Sequence, residues 1–240
     1  MKPKPADYTA LVLRSQSLTP TIKAVRLRLE DAQDFWFLPG QSLWPKLERD
    51  GRTFSKIYSI ASSPSCRPEV EFCISRVGWS SAYLQDLEPG SRFKLRGPYG
   101  LMTLASVPDQ PRLYLAEGSA IAPLKCQIDW LHEQGFDRPV QLVQANPETP
   151  DQLPYREHFE QLSQIWKHFN YVPVTQGSPE AYLQNLSLDI SLASVAVEIC
   201  AVGDWMSNGR RVDRSAEIQQ AVLAGGANPE WVRTERFVAF

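Results

Sequence analysis

At 240 residues the chain has room for two compact domains of about 100 to 150 residues each, and 43% hydrophobic with 22% charged residues is a soluble globular composition. The formal net charge of −2 comes from interspersed acids and bases, so no basic block is available to grip a nucleic acid. Cys66, Cys73, Cys126 and Cys200 form no C-x-x-C pair, and His132, His158 and His168 lie far apart, which speaks against a disulfide framework, an iron–sulfur or zinc site and a Ser-His-Asp triad.

Met1-Lys2-Pro3-Lys4-Pro5 is charged and broken by proline, with no apolar run behind it, so no signal peptide is expected. The most apolar stretch, Leu192 to Val202, is short and carries Glu198; no membrane span is expected, and a cytoplasmic location follows.

In chain order, Tyr8 to Leu13 and Ile22 to Leu29 read as strands, the second with Val25, Leu27 and Leu29 alternating against Arg26, Arg28 and Glu30. Pro39-Gly40-Gln41 turns the chain into a short strand near Leu43 to Leu47. The stretch Phe54 to Pro64 follows, and in it Tyr58 offers a flat aromatic face, Ser59 a hydroxyl and Lys56 an ammonium on the same side of an extended chain. Such a set suits a tricyclic flavin with its phosphate. Val70, Phe72 and Ile74 alternate with polar neighbours, as do Phe93 and Leu95, giving an all-β half expected to close into a small antiparallel barrel. Between them, Gly78-Trp79-Ser80-Ser81-Ala82-Tyr83-Leu84 opens a short helix, with Ser80 or Ser81 as N-cap and free N–H groups suited to a pyrophosphate. Gly97-Pro98-Tyr99-Gly100 closes this half with a tight turn.

The period changes after residue 110. Strands are expected at Leu113–Ala116, Val140–Val143, Tyr171–Val174 and Val195–Cys200, and helices at Ile121–Gln134, Arg156–Trp166, Glu180–Leu186 and Ser215–Leu223; Trp231–Phe237 is a last extended segment. This alternation implies a parallel sheet covered on both faces, with ligands at the carboxyl ends of its strands. The expected domains are residues 1–104 and 111–240, divided where Pro108 and Pro111 interrupt regular structure.

The order of these motifs resembles the ferredoxin–NADP reductase superfamily of flavoenzymes over nearly the whole chain. Lys56-Ile57-Tyr58-Ser59 is similar to the family's Arg-x-Tyr-Ser, Pro39-Gly40-Gln41 to its Pro-Gly-Gln turn, Gly78 to Leu84 to its pyrophosphate helix, and Gly97-Pro98-Tyr99-Gly100 to its Gly-Pro-x-Gly. The resemblance implies a flavin-binding Greek-key barrel followed by an NAD(P)-binding α/β domain. It implies FAD contacts from Lys56, Ile57, Tyr58, Ser59, Ile74, Arg76, Gly78, Trp79, Ser80 and Ser81, with Gly118, Ser119 and Phe237 on the nicotinamide side. Ser59, Ser119, Cys200 and Glu235 are implied around the reacting atoms.

The second half departs from the family pattern. Its Gly-Gly-Thr-Gly-Ile-Ala-Pro turn reads Glu117-Gly118-Ser119-Ala120-Ile121-Ala122-Pro123, so two glycines are replaced and a carboxylate enters where an anionic pyrophosphate would lie. The later Cys-Gly-Pro segment reads Cys200-Ala201-Val202-Gly203-Asp204-Trp205-Met206, and Ala145-Asn146-Pro147-Glu148 carries no arginine for a 2′-phosphate. NADH is therefore expected over NADPH. Two readings stay open: a reductase passing electrons from NADH through FAD to a separate acceptor (a ferredoxin-like protein, an oxygenase component or a small molecule), or an FAD-binding electron-transfer subunit or interaction module that has lost nicotinamide binding. Arg52 and Lys56 are basic positions suited to an acidic partner.

Overall fold

The structure is a computed structural model that describes residues 3–174, 183, 191–202, 205–207 and 210–237. The expected helix over Glu180–Leu186 lies, apart from Leu183, outside the described residues, as do Gly203 and Asp204.

The first half is an antiparallel sheet of seven strands: β1 (Ala6–Ser17), β2 (Ile22–Glu30), β3 (Ser42–Arg49), β4 (Arg52–Ser55), β5 (Tyr58–Ser59), β6 (Glu69–Ser75) and β7 (Arg92–Tyr99). The order is β4-β3-β7-β1-β2-β6, with β5 also on β3. The sheet curls into a barrel without closing by a regular ladder. β5 has only two residues, and what joins the two sides is a single bridge between Ile60, just beyond it, and Phe72 of β6. Alternation explains the inside: Val25, Leu27 and Leu29 of β2 pack with Leu43, Leu47, Val70, Phe72, Ile74, Phe93 and Leu95.

A short helix, α1 (Trp79–Gln85), interrupts the strands. Its N-cap is Gly78, two or three residues earlier than the serines suggest; Ser81 sits at the third helical position, and its Oγ accepts from the N–H groups of both Val77 and Gly78 at 3.0 Å. A serine placed there satisfies the entering backbone from inside the helix.

The second half is a parallel five-stranded sheet in the order β10-β9-β8-β11-β14, from β8 (Arg112–Glu117), β9 (Val140–Ala145), β10 (Phe169–Val174), β11 (Ala196–Val202) and β14 (Val232–Phe237). A small hairpin, β12 (Trp205–Ser207) with β13 (Arg210–Val212), stands apart. α2 (Ile121–Glu133) and α3 (Arg156–Ile165) cover one face, and α4 (Arg214–Ala224) covers the other, packing Ile218 and Val222 on Leu113, Leu115, Val197 and Ile199. The winding reverses between β8 and β11, which opens a crevice at their carboxyl ends.

The two halves share their interior. Ile22, Ala61 and Cys73 of the first sheet belong to the same apolar cluster as Tyr114, Leu124 and Phe159, while Cys126 of α2 is buried in the barrel core. Between them, buried Glu198 of β11 holds Arg112 and Arg233, and Arg233 Nη1 donates 3.2 Å to the Thr103 carbonyl. Taking away one partner of such a buried set costs about 3–5 kcal/mol, so it fixes the connecting segment to the sheet. No helix among the described residues is long and apolar enough to cross a membrane.

Candidate active site

The candidate flavin cradle begins at β5. Ser59 is buried, with its Oγ 3.2 Å from Ser42 Oγ on the neighbouring strand, and Tyr58 is half-buried with its ring 5.6 Å from Phe72. Burial raises the Tyr58 phenol above its ordinary pKa, and the Ser80 side chain hydrogen-bonded to it works the other way, so the ring stays neutral. Lys56 is half-buried beside the exposed Ile57.

The start of α1 adds a second wall. The Trp79 indole stacks on Tyr83 at 5.5 Å, meets Phe54 at 5.2 Å and lies under the Arg49 guanidinium at 5.3 Å. Phe54 and Tyr83 keep about two-fifths of their surface exposed, which leaves a flat aromatic face beside the open helix end. Neutral aromatic faces at Tyr58 and Trp79, an ammonium at Lys56 and the N–H groups at the first turn of α1 form a donor set that fits FAD: rings for the planar parts, cation and N–H groups for the phosphates.

Other expected residues take different places. Ile74 faces the barrel core, and its carbonyl accepts from Gln85 Nε2 at 2.7 Å. Arg76 is held by Asp86 through two hydrogen bonds of 2.7 Å at the surface.

On the sheet side, the register sets Ala116, Cys200 and Glu235 in one row across β8, β11 and β14. Cys200 is fully buried, and its thiol is pushed well up by that burial. Glu235 is half-buried; loss of water, with the Glu198 carboxylate behind it, raises its pKa to about 7. Phe237 packs on the same core cluster. Ser119 accepts a 2.8 Å hydrogen bond from Ser75 Oγ of β6, tying the Gly118–Ala120 turn to the barrel.

That turn answers the substitutions seen in the sequence. Gly118 takes φ +53°, the left-handed region where glycine is at ease, and then Gly118–Ala120 forms one 3-10 turn into α2. Ala120 itself has φ −66° and is buried in the core, so its methyl meets no backbone demand for glycine. Glu117, with no exposed surface, gives its Oε1 to Arg214 at the head of α4, 2.5 Å from Nη2 and 3.2 Å from Nε. The acid is neutralised inside the protein and points to the α4 side of the sheet. Sequence reasoning missed Arg214 altogether; 97 positions separate it from its partner. It also missed the Arg49 and Phe54 contacts to Trp79, which no local pattern announces.

Residues 10–104 match the oxidoreductase FAD-binding domain family. The chain is similar to the phenol hydroxylase P5 protein of Acinetobacter pittii, 33% identical over 173 residues, which is 70% of this chain and 47% of that protein. It is also similar to ferredoxin–NADP reductase B of Sorangium cellulosum, 26% identical over 72% of this chain and 71% of the other. The chain thus spans about half the length of the first relative and nearly three quarters of the second. Among solved structures, the FAD/NAD-binding domain of a nitric oxide dioxygenase from Vibrio cholerae superposes with a TM-score of 0.79 at 18% identity, covering 96% of this chain and 98% of that one. Residues 10–104 thus belong to the oxidoreductase FAD-binding domain family, and the two halves together have the two-domain fold of the ferredoxin–NADP reductase-like FAD/NAD-binding oxidoreductases.

Proposed function

We propose that this chain is a reductase that takes reducing equivalents from NADH through FAD and delivers them to a separate electron acceptor, such as an oxygenase component or a ferredoxin-like protein. The observation that carries this over the FAD-only reading is the neutralised turn: Glu117 is paired with Arg214 and Ala120 needs no positive φ, so both obstacles to a dinucleotide at Gly118 are absent. In the same reading residues 1–104 are the flavin domain and residues 111–240 the nicotinamide domain, within a cytoplasmic protein. NADH is favoured because Glu148, just past β9, places a carboxylate there, hydrogen-bonded by Thr21 Oγ1 at 3.0 Å, where an NADPH-binding site would want a cation.

FAD supplies hydride acceptance and release of electrons one at a time. The residues of the chain bind and orient. Tyr58 and Ser59 set the plane and edge of the flavin ring, and Lys56 with the N–H groups of Trp79 and Ser80 carries the phosphates. Ser119, fixed by Ser75, places the nicotinamide side against the barrel. Glu235, in the same row as Cys200, has its pKa raised to about 7, so it keeps that wall uncharged in acid solution and loses its proton as pH rises through neutrality.

The test is anaerobic. Purified protein loaded with FAD is mixed with NADH or NADPH while the flavin absorbance is followed. Rapid bleaching by NADH, with NADPH slower, is the expected result. A flavoprotein bleached by dithionite and by neither nucleotide would instead make the chain an electron-transfer or interaction module.

A further inference from the structure

The Glu117–Arg214 pair has features beyond charge balance. Arg214 is the first residue of α4, whose N-cap Asp213 accepts from the Ala216 N–H at 3.1 Å and lies 3.4 Å from Arg236 of β14. The backbone of Arg214 thus starts beside a cap held to the edge strand, and its guanidinium reaches the last residue of β8. Its Nη1 also lies 3.5 Å from Glu217 one turn on. Glu117 immediately precedes Gly118, the residue whose left-handed φ aims the turn. An ion pair with so little exposure, 12% for the arginine side chain and none for the glutamate, fixes the direction in which the chain leaves β8.

We infer that Arg214 is a positioning residue for the dinucleotide: acting through Glu117, it presents the Gly118–Ala120 turn as a neutral, preset cradle for an anionic pyrophosphate. This deepens the proposed reductase reading and rests on it. The physical reason is double. With Arg214 gone, Glu117 is a buried carboxylate next to the place an anion must enter, and the two charges repel through a medium that screens poorly. The same loss frees the turn, so part of the binding free energy is consumed in ordering it. With both charges gone, the repulsion disappears, and the remaining backbone of the turn recovers most of the binding.

The experiment uses the full chain loaded with FAD, as wild type, Arg214→Gln, Glu117→Gln and the double variant. Flavin content, KM for NADH and kcat with ferricyanide as acceptor are measured for each. Arg214→Gln is expected to raise KM about tenfold or more while kcat stays within about twofold. The double variant is expected to return KM to within about threefold of wild type. A folded Arg214→Gln protein with unchanged KM overturns the proposal, and so does a folded double variant as impaired as Arg214→Gln, since that places the guanidinium on the nucleotide itself. Should Arg214→Gln fail to fold, the double variant decides alone by the same threefold criterion. Failure of the wild type to be reduced by NADH identifies failure of the reductase reading, and the inference falls with it.

Discussion

Glu235 is the titrating group with the clearest consequence for stability. Its pKa rises from 4.5 to about 7 on folding because the strand buries it and Glu198 stands nearby. The folded state therefore holds this proton where the unfolded chain has lost it, and stability falls as pH rises from about 4.5 to 7. The full effect is of order 3 kcal/mol. Glu235→Gln removes the dependence: between pH 5 and pH 8 wild type is expected to lose roughly 5 °C of melting temperature relative to the variant, and parallel curves would contradict the assignment. At this scale the sequence speaks unevenly. Tyr58, Ser59 and Gly118 announce themselves through neighbours in the chain. Arg214 does not, because a pairing of β8 with the start of α4 exists only once the sheet is wound. Local pattern also misplaced the cap of α1: serine is a common N-cap, but here Ser81 reaches back to Gly78 and Val77 from inside the helix.

Among the elements, the Pro39-Gly40-Gln41 turn holds three parts together. Gln41 Oε1 accepts from the Leu38 N–H at 2.8 Å, Leu104 N–H donates to the Pro39 carbonyl at 3.2 Å, and Gly40 takes φ +94°. A β-carbon on Gly40 would fall onto the Met102 carbonyl and lie 2.8 Å from Gln127 Nε2, the group that donates to that carbonyl. Gly40→Ala is accordingly expected to cost roughly 2–3 kcal/mol in denaturant unfolding, with a lowered midpoint and an unchanged slope; a loss under about 0.5 kcal/mol would mean the turn can yield. Strands with one buried face, such as β2 and β6, are readable because alternation is their packing requirement. β4 was not, for Arg52, Thr53 and Phe54 are all exposed and an edge strand without a buried face leaves no period. The barrel is a similar case: alternation predicts a curled sheet, whereas the break at two-residue β5 depends on long-range geometry.

For the whole molecule, the shared interior decides behaviour. The change of period in the sequence suggests two units, residues 1–104 and 111–240, whereas the cores of the two sheets interpenetrate through Ile22, Ala61, Cys73 and Cys126. The Glu198 set with Arg112 and Arg233 further fastens the connecting segment. Nothing in the sequence signals this, since each of these residues looks like an ordinary member of its own strand or helix. One cooperative transition is expected, with far-ultraviolet circular dichroism and release of flavin fluorescence coinciding in denaturant; two separated midpoints would show that the halves unfold independently.

The place of Cys126 also bears on synthesis. Its side chain completes the interior formed by residues 10–95, yet it is carried by a helix that follows the connecting segment. A ribosome therefore makes the whole flavin half before this member of its core. The growing chain holds that half with an open seam until α2 emerges, so the order of translation and the order of completion differ in this protein.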